Sequence, residues 1–444
     1  MPVIQHGYAG PSLTRGSRSA VRAAVWNEVR LFQIAMGIIA VAVADDAFVH
    51  PEPGTTAGDH LASGLIPIAI ALGAALVFPR MRAGARACVA LAFGALALEA
   101  GIVDGLRHVV IDTISGDDVT ACLSAAAGAV LIALGAMVLW RTRRQDDSLL
   151  CRYTRWTLQL VLVGIVAIFV VLPIGMAILA THVARAPMPA AQLDAAYHQV
   201  SFPSSDGLTL VGWYVASRNG AAVIVSPGRS PSVQAHARML IRHGYGVLLF
   251  DRRGEGQSQG DPNLYGWSGD KDLVGAIRFL HRQRDVHHGR IGGLGLSVGG
   301  EMLLQTAAET TALRAVVSEG AGRRSLREQL RMPELGTVQR WVTPWVVQDV
   351  GLMVMSNSST PPYLGNLVGS IAPRPILLIR ALHGLADESL NRVYYADAHQ
   401  PKALWEVAEG GHTGALQAIP AQYEARVVSF FDYALLTGEK AGPP

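Results

Sequence analysis

The sequence predicts two units of different class: an α-helical transmembrane bundle of five spans, then an α/β domain with a mostly parallel sheet covered by helices. Three observations predict it. Apolar residues are concentrated before about Ala184. That part holds five apolar runs, each near the ~20 residues needed to cross ~30 Å of hydrocarbon. Beyond it, short apolar runs alternate with stretches of helical spacing, the order of a parallel sheet crossed over by helices. At 444 residues the chain also exceeds one ordinary domain.

Composition narrows the classes further. Half of the residues are hydrophobic and 16% are charged, too apolar for an ordinary soluble chain. A net charge of +3 is too small to argue for nucleic acid, and the arginines sit in short loops where topology explains them. Cys88, Cys122 and Cys151 all lie in the apolar half, so no disulfide framework and no zinc spacing can be read.

The first thirty residues form a polar tail with Arg15, Arg18, Arg22 and Arg30, and no small-residue cleavage site follows a short apolar core. The five runs are Leu31–Val49, Leu61–Phe78, Cys88–Leu106, Val119–Trp140 and Trp156–Ala180, in a bundle over residues 31–183. Asp45 and Asp46 interrupt the first run. Pro173 and Gly175 predict a kink in the last. Arg80, Arg82 and Arg86 occupy the second loop; Arg141, Arg143, Arg144, Arg152 and Arg155 flank the fourth. The other loops carry Glu52 and Asp59, or Asp112, Asp117 and Asp118. Basic loops stay cytoplasmic, so the N-terminus is expected inside and everything after the fifth span outside. The expected setting is a multi-pass protein of the cell membrane, with the lipid bilayer as a partner.

Glu99, Asp104, Asp45 and Asp46 would lie in or near the bilayer. A proton relay or head-group site is one reading; packing or interfacial carboxylates are the plainer one. His50, His60 and His108 lack the i, i+4 pairing of a metal site, and no metal is expected.

A linker, residues 184–194, leads to the α/β domain at 195–438. Tyr197–Pro203 and Leu208–Ala216 flank Ser204-Ser205-Asp206-Gly207, a hairpin signal. Further strands are expected at Ala221–Val225, Gly246–Phe250, before Leu296, at Leu313–Ser318, Pro375–Ile379 and Ala403–Val407. Helices are expected at Ser232–His243, Asp270–Arg284, Glu301–Glu309 and Ala421–Leu436. Residues 320–373 break this rhythm and read as a helical insertion, either a substrate-selecting lid above the sheet's carboxyl ends, the favoured reading, or a connecting helix pair with no selective role.

The chemistry centres on Gly295-Leu296-Ser297-Val298-Gly299. A Gly-x-Ser-x-Gly turn between strand and helix throws one hydroxyl out above the sheet edge. A serine hydroxyl needs a base, and the base needs an orienting group. The best acid is Asp387, in His383-Gly384-Leu385-Ala386-Asp387; its neighbour Glu388 is the alternative, and the Gly-x-x-Asp spacing favours Asp387. The best base is His412, in Gly410-Gly411-His412-Thr413-Gly414. Both follow strands, where open α/β sheets place their sites.

With this order of Ser, Asp and His, residues Ala195 to Leu436 resemble the α/β-hydrolase fold family. The likeness is to dienelactone-hydrolase-like and prolyl-oligopeptidase-like members. Asp251-Arg252-Arg253-Gly254-Glu255-Gly256-Gln257-Ser258 is similar to the family's Asp-x-Arg-Gly-x-Gly-x-Ser segment. The resemblance implies Ser297 as nucleophile, Asp387 as orienter and His412 as general base. It implies an oxyanion hole from the Val298 N–H and one donor in Ser226-Pro227-Gly228-Arg229. Proline has no N–H, so the second donor is assigned to Arg229, with Gly228 behind it. No dinucleotide or phosphate loop is present and no cofactor is expected. The expected activity is hydrolysis of an ester, thioester or amide in a small-molecule or lipid-like acyl substrate. An acyltransferase, or an inactive membrane-assembly module, are the alternatives.

Overall fold

The computed structural model describes residues 15–109, 116–141, 148–182, 185, 193–230, 232–333, 336 and 345–437. Asp112, Arg143, Arg144 and most of the expected linker lie outside the described residues.

The N-terminal region consists of α1 (Arg15–Ala44), α2 (Leu61–Val77), α3 (Ala83–Val109), α4 (Gly116–Arg141), α5 (Leu149–Val166) and α6 (Leu172–Thr181). It offers five segments long and apolar enough to cross a membrane, the last running through α5 and α6. Two details differ from expectation. The polar tail is helical from Arg15, because nothing between it and the first apolar run breaks the helix. The interruption near Pro173 is a π-helical turn, Ala167–Val171, rather than a simple bend. Proline lacks the N–H that would bond the carbonyl of Phe169, and an extra residue in the turn relieves the clash.

Small residues bring α3 and α4 together. A Cβ on Gly94 or Gly128 would run into the backbone of the facing helix, so only glycine allows the spacing. Glu28 on α1 faces Arg86 at 3.5 Å and Arg141 at 3.3 Å. At the other end of α1, Asp45 accepts from Thr120 at 2.8 Å and lies 3.2 Å from His50. Glu99 abuts Gly175 of α6, where any side chain would collide with its carboxylate. These contacts suit the packing reading of the bundle's carboxylates. Among the described residues, no group of three or more His, Cys, Asp or Glu is placed to hold a metal ion.

The C-terminal sheet has eight strands: β1 (His198–Pro203), β2 (Thr209–Val215), β3 (Ala222–Ser226), β4 (Gly246–Phe250), β5 (Ile291–Leu296), β6 (Ala315–Glu319), β7 (Ile376–Ala381) and β8 (Lys402–Val407). Their spatial order is β1-β2-β4-β3-β5-β6-β7-β8. The β1–β2 and β2–β4 pairs are antiparallel, and every later pair is parallel. β3 to β7 are buried along their whole length, which is why they read as continuous apolar runs. One face packs on α7 (Gln234–Arg242) and the closing helix Pro420–Phe431, through Met239, Leu240, Tyr423 and Phe431. The other packs on α8 (Gly269–His281) and α9 (Val298–Glu309), through Leu273, Ile277, Met302 and Leu303.

The two units dock through the loop between α1 and α2 and the chain leaving α6. Arg185 pairs with Glu52 at 2.6 Å and donates to the carbonyls of Ser258 at 2.6 Å and Gly260 at 2.8 Å. His60 lies 3.5 Å from Asp261. The Leu264 N–H donates to the Ala180 carbonyl at 2.9 Å. Ala177 and Ala180 of α6 are buried with Tyr265, Trp267 and Leu352 in one apolar cluster. In the interval expected to be helical, residues 320–373, the main element is the helix Trp345–Met355, and it lies against α6.

Candidate active site

Ser297 ends β5 and caps the start of α9 with φ 51° and ψ −121°, a conformation that non-glycine residues avoid. The glycines on either side make it reachable. A Cβ on Gly295 would strike the backbone of Gly299, and one on Gly299 would strike the carbonyls of Ser226 and Pro227. The turn is held from below, because the Ser297 N–H donates to the Glu319 carbonyl at 2.7 Å. Val298 opens α9, so its N–H has no partner within the helix. The loop after β3 lies alongside: a Cβ on Gly228 would stand 3.0 Å from the Ser297 Cβ. Arg229 is exposed, and its guanidinium lies 4.6 Å over the Tyr265 ring.

His412 sits in the loop after β8. Its ring faces Gly320, where a Cβ would stand 3.1 Å from the imidazole Cε1. Serine and imidazole therefore flank adjacent residues, Glu319 and Gly320. No hydrogen bond joins Ser297 to His412 among the described residues. Catalytic hydrogen bonds of this kind tighten in the substrate complex.

The carboxylate behind His412 is not the one that spacing favoured. Glu388 Oε1 lies 2.7 Å from His412 Nδ1. Asp387 instead faces the loop after β6, accepting from the Arg323 N–H at 3.3 Å. Both residues belong to one 3-10 turn, Ala386–Ser389, in which consecutive side chains point in different directions. The backbone selects Glu388. Its Oε2 accepts from the Ala381 N–H at 2.8 Å, and its Oε1 also accepts from the Leu385 N–H at 3.1 Å. The side chain is fully buried, whereas Asp387 is partly open. A carboxylate only accepts, so Nδ1 carries the proton and Nε2 is the basic nitrogen.

Burial works against the imidazolium, but the hydrogen bond and charge of Glu388, with smaller help from Asp387 and Glu301, overcome it. His412 titrates above its ordinary value.

Glu301 is a site neighbour that sequence reasoning passed over. It lies in the first turn of α9 and is buried. Oε1 accepts from the Gly322 N–H at 2.8 Å, while Oε2 is buried with no partner. Burial pushes this carboxyl up to about 7, against the opposing pull of Arg324 and the Gly322 hydrogen bond. Its signal was an acid within an otherwise apolar helix start. Glu319 and Asp251 are scaffold groups. Glu319 accepts from the Ala415 N–H at 3.1 Å and the Tyr423 hydroxyl at 2.7 Å, tying the histidine loop to β6. Asp251 accepts from the Gln257 N–H at 3.1 Å and stabilises its own loop.

The family described as X-Pro dipeptidyl-peptidase (S15 family) matches residues 185–365. The C-terminal half is thus similar in sequence to this family over part of its length and has a mixed-sheet α/β fold. The protein YfhR of Escherichia coli O157:H7 is 28% identical over 252 residues, 53% of this chain and 81% of that one. The polyketide transferase grgF of Penicillium sp. is 33% identical over 126 residues, 27% of this chain and 43% of its own. Among solved structures, the α/β hydrolase GrgF from Penicillium sp. aligns with a TM-score of 0.45 at 21% identity, over 54% of this chain and 99% of that one. The Pyrococcus furiosus esterase Pf2001 aligns with a TM-score of 0.44 at 20% identity, over 55% and 94%.

Proposed function

We propose that the chain is a membrane-anchored serine hydrolase that cleaves an ester, thioester or amide through an acyl-enzyme. Ser297 is the nucleophile, His412 the general base, and Glu388 the group that orients it. The observation that carries this is the His412–Glu388 hydrogen bond, set behind an imidazole that packs on Gly320, next to the Glu319 carbonyl that holds the Ser297 N–H. His412 Nε2 takes the Ser297 proton as Oγ attacks the acyl carbonyl. The N–H groups of Val298 and Arg229, with Gly228 in reserve, receive the oxyanion; losing one such donor typically costs ~10²–10³ in turnover. The imidazolium returns its proton to the leaving group. Water, activated by the same nitrogen, then releases the acid.

The enzyme class has a direct test on purified full-length protein. A fluorophosphonate is expected to label the native chain and not the Ser297→Ala variant; equal labelling of both would remove the mechanism.

Acyl transfer shares every step up to the second, where an alcohol replaces water. The likeness to a protein named a polyketide transferase supports keeping this second reading. Product analysis with and without an added alcohol separates the two.

The same proposal places the bundle in the cell membrane with the hydrolase domain outside the cytoplasm. The basic residues Arg86 and Arg141 gather around Glu28, near the start of the first candidate span and opposite the end that leads into the docking loop, which supports that orientation. A reporter fused after Thr437 is expected to read as non-cytoplasmic.

A further inference from the structure

The helix Trp345–Met355 is inside out. Its polar residues, Gln348 and Asp349, are buried against the domain. Gln348 Nε2 donates to the Tyr265 hydroxyl at 2.6 Å, and Asp349 Oδ2 accepts from the Leu326 N–H at 2.8 Å. Its exposed stripe is apolar: Val346 is 57% exposed, Val350 47% and Met353 42%, at spacings of four and three that put them on one helical face. A helix bordering water shows the opposite pattern.

Its neighbours say what covers that stripe. Leu352 is buried in the cluster with Ala177 and Ala180 of α6, and Gly351 lies so close to Ala177 that a Cβ would stand 2.8 Å from it. α6 presents its own exposed apolar residues, Leu172, Met176 and Leu179, and the helix also touches α2. The stripe thus continues the apolar surface of two candidate membrane spans.

Two contacts tie the helix to the reaction centre. The Arg323 guanidinium lies 3.3 Å over the Trp345 ring, and the Arg323 N–H donates to Asp387. Gln348 holds Tyr265, over which Arg229 stacks beside the serine turn.

We propose that Trp345–Met355 lies in the lipid leaflet next to the hydrolase domain, and that the substrate is an amphiphile whose acyl chain is drawn from that leaflet. This rests on the hydrolase reading for the substrate and on the bundle's spanning a bilayer for the leaflet. It assigns the helix Trp345–Met355 the role of a membrane-seated entry rather than a cover that opens to water.

Two readouts test it on full-length protein in phosphatidylcholine nanodiscs. In a chain with Cys88, Cys122 and Cys151 replaced by alanine, Val350→Cys carries an environment-sensitive fluorophore, and Gln199→Cys is the control on the exposed edge strand. Emission at position 350 is expected to be quenched by a spin-labelled lipid at least threefold more than at position 199. Equal quenching overturns the placement, whether or not Ser297 reacts. Separately, Val350→Asp is expected to lower hydrolysis of nanodisc-embedded p-nitrophenyl palmitate at least tenfold. The same variant should hydrolyse p-nitrophenyl acetate in solution within twofold of native. An equal effect on both esters overturns the substrate class. Failure of the native chain to react with fluorophosphonate would instead defeat the enzymatic reading and leave the quenching result standing.

Discussion

His412 Nδ1 stands 2.7 Å from Glu388 Oε1, while Asp387, one residue earlier, binds the backbone of Arg323. Two carboxylates side by side in sequence therefore have separable duties, and substitution can separate them. Glu388→Gln keeps the shape but lets the amide favour the wrong imidazole tautomer, so kcat for ester hydrolysis should fall by ~10²–10⁴. Asp387→Asn keeps an acceptor for Arg323 and should cost less than about tenfold, a weak partial effect beside the triad loss. Steady-state kinetics on one soluble ester decide it. The reverse ranking would return the orienting role to Asp387.

The imidazole's surroundings set the pH profile. Glu388 holds the His412 proton more tightly than water does, so its pKa is raised. The base must be neutral to act, so the rising limb of kcat/KM should have its midpoint above about 6.5, the ordinary histidine value. Removing the charge in Glu388→Gln should move that midpoint to lower pH. The residual rate of the variant, followed from pH 5 to 9, reports it. The linked stability has the matching sign: the raised pKa favours folding below the unfolded value, and this gain is lost as pH rises through the folded one.

Much of the α/β half could be read in advance, because its signals are local. β3 to β7 are buried on both faces, and a strand in that position must be apolar throughout. Gly295 and Gly299 are required by close backbone approach, so the elbow announces itself. The choice between Asp387 and Glu388 is not local. It depends on which side of a 3-10 turn meets the Ala381 N–H, a group on another element. The orientation of Trp345–Met355 was hidden for a related reason. Helical spacing shows that a helix has two faces, but Gln348 and Asp349 are inward only because Tyr265 and Leu326 await them. The docking of Arg185 onto Glu52 and the loop at Ser258 joins segments far apart in sequence and left no trace in spacing.

Glu301 carries a charge that folding resists. Its carboxyl is pushed up to about 7 by burial, from an ordinary value of 4.5. The folded state thus favours the protonated acid. Stability from this group is full below about 4.5 and is lost as pH rises toward and through about 7. Each unit of such a shift corresponds to about 1.4 kcal/mol, so the loss is on the order of a few kcal/mol. Glu301→Gln keeps an acceptor for the Gly322 N–H and cannot ionise. It should unfold at a higher temperature than native at pH 8 and at nearly the same temperature at pH 5. Because Glu301 also supports the His412 charge, the variant's kcat/KM midpoint should shift slightly downward.

Arg185 is the clamp between the two units. It pairs with Glu52 from the bundle while donating to the carbonyls of Ser258 and Gly260 in the α/β half. Its side chain is mostly buried, so water cannot readily replace those partners. Arg185→Ala removes the guanidinium's bonds to Glu52 and to two carbonyls, at a cost of about 2–3 kcal/mol to docking. Glu52→Ala alone should cost less, because Arg185 keeps both carbonyls. The double variant should resemble Arg185→Ala, since the pair interaction is already gone. Limited proteolysis across residues 183–192, in protein held in nanodiscs, measures the effect as faster cleavage in the two chains lacking Arg185. Additive effects of the single substitutions would mean that Glu52 and Arg185 act independently, and the clamp would not be a unit.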